Sequence, residues 1–432
     1  MTNWMLKNEF ENDNKRFETF KERFGNFSTR FIKIERILAP IFLAAMIILS
    51  FLIYKSIGKE IFPKTDLGQF QLRLRMPTGT RIEKTEQATK DVLHIIDSMA
   101  GRSNVEISSS YVGLQPPVYA INSIFLWTSG PHESVIKVNL KRHVVKLENF
   151  KEELRNEIIK YNKDILISFE PANLVDQVMS LGTNTPIEIA AQGKNLSQGR
   201  LFVEKLQSEL KKIPYMRDIQ LGIPLDYPSL QINYDRIRSG QMGITVDDAA
   251  KSILPGTSSS RLTTPVYWLD NASGNAYQVQ VEYPQFKMNS PEQLDEIPVS
   301  SNNGKTIYLR DVADWKKLNT IGEYDRLNQQ RYITVTANLF NQDLGKAVKD
   351  VNKVIANLGE MPQGMKVSQR GQSELLDETM NELSQGLLLA ILVIILLLAA
   401  NFQSFRLSLT TVATVPAVVF GSFFLIYITG NT

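Results

Sequence analysis

Three uncharged apolar blocks interrupt this chain of 432 residues, at Ile37 to Tyr54, Gly386 to Ala400 and Leu407 to Ile428. A helix that crosses a bilayer needs about 20 mostly apolar residues. The first and third blocks meet that length outright, and the second meets it once Leu383 and Phe402 are included. A run of 15 residues also suits a buried core helix, but the short link Asn401 to Arg406 ties the second block to the third as a hairpin. Pro416 falls mid-span, where neighbouring helices can satisfy the freed carbonyl. Pro40 falls near a helix start, where proline costs little. The reading is three transmembrane helices, over 37–57, 383–402 and 407–428.

The first block does not read as a cleavable signal, because 36 residues precede it and Lys55 follows it with no small-residue cleavage site. Those 36 residues carry eight Lys and Arg, and the turn after the second span carries Arg406. Positive charge is retained on the cytoplasmic side, so the N-terminus and the turn 401–406 are expected inside. Residues 59–382 are then expected outside, together with Gly430 to Thr432. Within residues 1–36, Phe17, Phe20, Phe24, Phe27 and Phe31 recur at steps of three and four among charged residues. On a helix they form one aromatic stripe, which suits either the membrane surface or a protein partner.

Composition narrows the function. The 48 Lys and Arg against 45 Asp and Glu leave a net charge of +3, giving no basic footprint for nucleic acid. With no cysteine there is no disulfide scaffold, zinc ribbon or thiol enzyme. The three histidines, at 94, 132 and 143, do not build a local metal site. A phosphate-cradling glycine loop, a Ser–His–Asp set and paired carboxylates at a meaningful spacing are all missing from the sequence. The chain does not read as an enzyme, and no cofactor is implied.

The exported stretch repeats one unit. Gly68 to Met76 alternates Phe70, Leu72, Leu74 and Met76 with Gln69, Gln71, Arg73 and Arg75, the pattern of a half-buried strand. Pro77 to Thr80 turns the chain, with Thr80 placed to cap the next helix. Strands are expected over 105–112, 122–128, 135–140 and 165–169, and a helix over 148–161. That order describes a split βαβ, ferredoxin-like sandwich. A second unit is expected from strands at 187–192 and 230–234 with a helix at 197–212. It resumes with strands at 332–338 and 365–369 and a helix at 344–358. The boundaries are 58–172 for the first subdomain and 173–235 plus 325–372 for the second. The insertion, 236–324, is expected to hold a capped helix from Thr245 to Leu254 and strands at 277–283 and 305–309. The fold class is α+β membrane protein, with two such sandwiches between the spans.

Specific strings resemble one half of a resistance–nodulation–division (RND) efflux transporter. Gly58-Lys59-Glu60-Ile61-Phe62-Pro63-Lys64-Thr65-Asp66 is similar to the segment after that family's entering helix, and Met76-Pro77-Thr78-Gly79-Thr80 with Thr85 to its first turn and helix. Asp235-Arg236 with Gly243-Ile244-Thr245 resembles the start of its docking subdomain, and Asn401-Phe402-Gln403-Ser404-Phe405 its cytoplasmic turn. The long lead-in resembles the C-terminal half of such a permease, truncated or split. Three places depart from the pattern. Leu407-Ser408-Leu409 stands where a proline is usual. Pro116 and Pro117 stiffen the segment 113–119, where a glycine-rich switch loop is often found. The methionines are scattered, and Met242 and Met288 read as packing residues.

The resemblance implies an inner-membrane pump subunit, a homotrimer with a periplasmic adaptor, an outer-membrane channel and the remaining half of the permease as partners. It implies apolar or amphiphilic small-molecule cargo and a cleft between the sandwiches. Tyr111, Tyr119, Phe125, Trp127 and Phe169 are the cleft candidates, since aromatics offer broad apolar contact; for Phe125 and Phe169 the reading favours sheet core, and for Tyr119, in a loop, the cleft. Pro255, Gly256, Thr257 and Trp268 are docking candidates, or else a solvated loop. No charged residue lies within 37–54, 383–402 or 407–428, so the proton relay of such a pump is expected in other helices. The competing function is a membrane-anchored periplasmic assembly module without transport. Topology is open to test in this cysteine-free chain. A Ser301→Cys variant is expected to react with an impermeant thiol reagent while the inner membrane is intact, and reaction only after that membrane is broken would reverse the orientation.

Overall fold

The structure is a computed structural model that describes residues 40–61, 67–114, 128–142, 144–173, 177–178, 180–194, 196–260, 265–299, 306–359 and 361–429. The aromatic stripe of residues 1–36 and all but Thr128 of the strand expected over 122–128 lie outside the described residues. Helix α1 spans Pro40–Ser56. Strand β1 (Gln69–Arg75) then opens the first sandwich, followed by α2 (Ile82–Ala100), β2 (Val105–Val112), β3 (Glu133–Leu140), α3 (Leu147–Tyr161) and β4 (Leu166–Glu170). The sheet is antiparallel, in the order β2-β3-β1-β4. Leu72 stands opposite both Ile136 and Phe169. That face packs on Val92 and Ile96 of α2 and on Phe150, Leu154 and Ile158 of α3.

Two local expectations change. The N-cap of α2 is Arg81, with no side-chain cap, because the Thr80 hydroxyl instead donates to the Pro77 carbonyl at 2.6 Å within the turn. Nor is β1 half-buried. Gln71 and Arg73, on its polar face, are buried along with Leu72 and Leu74 on the other. Arg73 bonds Glu170 at 2.5 Å and Glu133 at 3.2 Å, and Arg75 bonds Glu133 at 2.6 Å. Alternation reports chemistry on the two faces, and here the polar face is buried because charges on neighbouring strands pair across it.

The second sandwich starts with β5 (Ile187–Gln192), α4 (Leu196–Leu210) and β6 (Met216–Leu221). Strand β7 (Tyr227–Tyr234) leaves this sheet. The strand expected at 230–234 is therefore present, but it pairs antiparallel with β12 (Ala313–Thr320), and β6 takes the sheet position assigned to it. The β7–β12 ribbon leads to the inserted region. That region holds α5 (Val246–Thr257), the hairpin β8 (Val266–Leu269) and β9 (Ala276–Val279), and the short pair β10 (Pro298–Val299) and β11 (Ile307–Tyr308). Thr245 caps α5 reciprocally with Asp248, the arrangement that satisfies orphan amides at a helix start. Ile244, Ile253, Leu294 and Val312 form a separate core there.

The chain returns through β13 (Arg326–Leu327) and β14 (Gln330–Leu339), then α6 (Leu344–Asn357) and β15 (Lys366–Arg370). β14 sits between β5 and β6, and β15 pairs with β5. The order β6-β14-β5-β15 repeats that of the first sheet. Helix α7 (Gln372–Phe402) follows after Gly371 alone, and Ser373 and Leu376 of its first turns are buried. Helices α8 (Phe405–Val412) and α9 (Val415–Thr429) complete the described chain. They part just before Pro416, which has no N–H to continue the ladder; Ala417 and Val418 both donate to the Thr414 carbonyl instead. Among the described residues two helical stretches, Gln372–Phe402 and Phe405–Thr429, are long and apolar enough to cross a membrane, and Pro40–Ser56 is a shorter apolar helix.

Glu133 is wholly buried. Burial alone would push its carboxyl up, but Arg75, Arg73 and two bonds from Ser129 outweigh it and hold the pKa at about 2, against an ordinary 4.5. A depressed carboxylate contributes stability above its unfolded pKa and loses it as pH falls toward the folded value. Glu133→Gln is therefore expected to lower unfolding stability in detergent at pH 7 by on the order of 3 kcal/mol. The gap to the parent should close between pH 4.5 and about 2. Equal stabilities at pH 7 would show that the network adds nothing.

Candidate substrate cleft

The two sandwiches meet where β4 lies against β6 and β14. The Asn338 amide of β14 donates to the Phe169 carbonyl at 2.9 Å and to the Ser168 hydroxyl at 3.3 Å. Arg155 of α3 grips Asp218 of β6 with two bonds, of 2.6 and 2.9 Å. Arg217 reaches back to Glu152 of α3 at 2.8 Å. At the opposite end of β1, Arg75 donates to the carbonyls of Leu221 and Gly222 at 2.6 and 3.0 Å. His132 is fully buried there, its ring 5.8 Å from that of Tyr227. Burial lowers its pKa and Arg75 adds to this, while Glu133 and Asp226 oppose it; its imidazole is neutral at pH 7.

Beside the Arg155–Asp218 contact lies a cavity of about 410 Å³, within the range of small-molecule sites. Phe70, Leu147 and Phe169 line it from the first sandwich, and Leu339, Phe340 and Leu344 from the second. Its polar lining includes Arg155, Glu170, Asn338, Lys146, Lys151 and Glu148. The Arg155 guanidinium lies 5.1 Å from the Phe169 ring centre, so the aromatic face meets a cation. Glu60, Ile61 and Gln372 also line the cavity, which places the chain leaving α1 and the start of α7 at its edge.

That edge is fixed by a clamp. The Lys59 amide donates to the Asp343 carboxylate at 3.1 Å, and the Lys59 carbonyl accepts from the Gly345 amide at 3.0 Å. Asp343 also caps α6 through the Lys346 amide. A Cβ on Gly345 would lie 2.7 Å from Lys59 Cβ, so the approach needs glycine.

The sequence candidates divide. Phe169 both lines the cavity and packs edge-on to Phe70 in the core, at 5.9 Å between centroids. Tyr111 is half-buried on β2, opposite Val135, and does not line the cavity. Tyr119, Phe125 and Trp127 lie outside the described residues. Pro255, Gly256 and Thr257 are not a loop but the last turn of α5, where a Gly256 Cβ would meet Ile297 at 2.9 Å. Trp268 is exposed on β8 beside Tyr277. Met288 packs against the inserted core as expected, whereas Met242 is exposed. Arg155, Asp218, Asn338 and Phe340 carry no sequence signal, because they come from elements distant in the chain: Arg155 lies 63 residues from Asp218, and Asp218 lies 120 residues from Asn338.

Comparison with known proteins places the chain. The family model described as AcrB/AcrD/AcrF matches residues 1–432. The chain belongs to this family of RND permeases, which are transporters rather than enzymes. Multidrug resistance protein MdtC of Escherichia coli (strain SMS-3-5 / SECEC) is 23% identical over 433 residues, 98% of this chain and 40% of the relative. MdtC of Citrobacter koseri is 23% identical over 430 residues, with the same shares. The fold is similar to a heavy metal efflux pump in two crystal forms, each with a TM-score of 0.76 over 91% of this chain and 40% of that one, at 20% and 19% identity. The chain thus spans about two fifths of the length of the relatives it matches.

Gly345 gives the clamp a testable sign. Glycine to alanine within a helix ordinarily gains up to about 1 kcal/mol. Here the added methyl drives Lys59 off α6, so Gly345→Ala is expected to destabilise the protein by about 1–3 kcal/mol. Thermal unfolding in detergent reads the sign, and a gain would show that Lys59 is not held.

Proposed function

We propose that this chain is a C-terminal-half unit of a proton-driven RND exporter, supplying the external path for apolar or amphiphilic small molecules. In this reading α1, α7 and α8–α9 are three spans of the inner membrane, and the two ferredoxin-like sandwiches stand in the periplasm. The inserted region, with Pro255, Gly256, Thr257 and the exposed Trp268, faces the other subunits of a homotrimer, the adaptor or the outer-membrane channel. The proton relay resides in helices contributed by the rest of the permease, since the described apolar segments hold no Asp, Glu, Lys, Arg or His between residues 40–54, 383–402 or 407–428. The observation that carries the reading is the cavity between the sandwiches, with Phe169 and Phe340 on opposite walls. Membership of the family and the multidrug function named for its MdtC relatives support it.

Binding tests the proposal on the chain itself. The 432-residue protein in nanodiscs is expected to bind an apolar fluorescent dye. Phe340→Ala should weaken binding about fivefold or more, from the loss of roughly 1 kcal/mol of aromatic contact. Ala172→Trp, which fills the cavity, should abolish it. In vesicles with an imposed pH gradient the same protein should accumulate no dye and pass no protons. Unchanged binding in both variants would remove the cavity from the path, and proton flux would overturn the assignment of the relay.

A further inference from the structure

Two charge pairs cross the cleft on its cavity side, and each of their members already has a second partner within its own sandwich. Arg155 of the first sandwich holds Asp218 of the second, and it also bonds Glu152, one turn earlier on α3. Asp218 accepts the Asn338 amide of its own sheet at 2.9 Å. Arg217 crosses to Glu152, and it also donates to the carbonyls of Pro214 and Met216 on its own side, at 2.6 and 3.0 Å. If the sandwiches part, no charge is stranded without a partner, which is the large cost of breaking an ordinary buried pair.

The backbone is bent to make this contact. Asp218 has φ +53°, the left-handed region that few non-glycine residues occupy. The register of β6 against β14 slips there, between Thr336 and Asn338. Such a bulge re-aims a side chain off its sheet. The carboxylate that it turns out is buried, 2% exposed, and takes both Arg155 bonds as well as the Phe169 amide at 3.4 Å. Asp218 thereby also fixes the Arg155 guanidinium over the Phe169 face at the cavity wall.

The opposite end of the joint is built differently. A Cβ on Gly79 would lie 2.7 Å from the Pro228 ring, and one on Gly130 would meet His132 at 2.8 Å and the Tyr227 hydroxyl at 3.2 Å. These close steric contacts stand beside the bonds from Arg75 to the Leu221 and Gly222 carbonyls, so this end is packed as well as bonded. Gln69 and Phe70 at the cavity and Arg75 at this packed region are the two ends of one strand.

We infer that Arg155–Asp218 and Arg217–Glu152 form an exchangeable latch that sets the width of the cleft, turning about the packed end of β1, with Asp218 as the positioning residue. The purpose of the latch rests on the cleft being the cargo path; its geometry does not. The test uses the full cysteine-free chain in nanodiscs, with spin labels at Glu153→Cys on α3 and Lys349→Cys on α6, both exposed and outside the latch. The parent should show one main short distance. Asp218→Asn keeps the shape and suits the left-handed backbone, yet loses the charge. It should raise a longer-distance population, with the closed-to-open ratio falling about tenfold. Arg155→Lys should shift the ratio in the same direction, and the double variant should add little to the larger single effect, as for partners in one contact. A label pair within the second sandwich, Glu209→Cys and Lys353→Cys, should keep its distance and report an intact fold. Where Asp218→Asn fails to fold, Arg155→Lys carries the test alone. An unchanged cleft distance in a folded variant, or full additivity in the double, overturns the latch. If the distances shift while the cavity binds no dye, the latch stands and the cargo path falls.

Discussion

Arg73 lies between Glu133 and Glu170, and Glu133 in turn holds Arg75. This buried chain of charges lets β1 be enclosed on both faces although every second residue is polar. Ions removed from water cost several kcal/mol each unless their geometry is satisfied. Here two strands supply carboxylates at matching height, Arg75 opposite Glu133 and Gln71 opposite Glu170 in the pairing register. Arg75 then spends its remaining donors on the end of β6. The network that closes the first sheet therefore also sets where the second sandwich sits, and with it the position of the cavity.

Most of the architecture is legible in the sequence. The apolar blocks, the strands at 105–112 and 135–140, the helix at 148–161 and the capped helix after Thr245 all follow local rules of period and capping. What escapes is what depends on distant chain. Met-Arg-Asp-Ile-Gln-Leu at 216–221 has no clean alternation, since Arg217 and Asp218 turn toward the other sandwich and a bulge breaks the period. The cleaner alternation at 230–234 draws the eye, but it belongs to a ribbon that departs from the sheet. The cleft is less legible than the fold. Phe169 is recoverable as an aromatic at a strand end, whereas Arg155 and Asn338 become site residues only through contacts with Asp218, 63 and 120 residues away in the chain.

The exposed hairpin β8–β9 is the counterpart of this buried order. Tyr267, Trp268, Leu269 and Tyr277 all stand open, on a two-stranded unit of the kind that is only marginally stable alone. Its apolar character is not needed by the inserted core, which closes around Ile244, Ile253 and Leu294 without it. Core and hairpin are therefore under separate physical constraints, one of packing and the other of what the hairpin meets.

Helix α7 carries a constraint of a different sort. Its first turns are set in the second core through Leu376, and its apolar segment begins only seven residues later, at Leu383, with no break between. Each residue of an α-helix advances about 1.5 Å and turns about 100°. Inserting or deleting one residue between Leu376 and Leu383 would swing the whole apolar segment around the axis relative to the sandwich, and only a change of about a full turn would restore it. Chain length is thus read strictly in this stretch, whereas a change of one residue at an exposed hairpin tip such as 270–275 alters no other element's orientation.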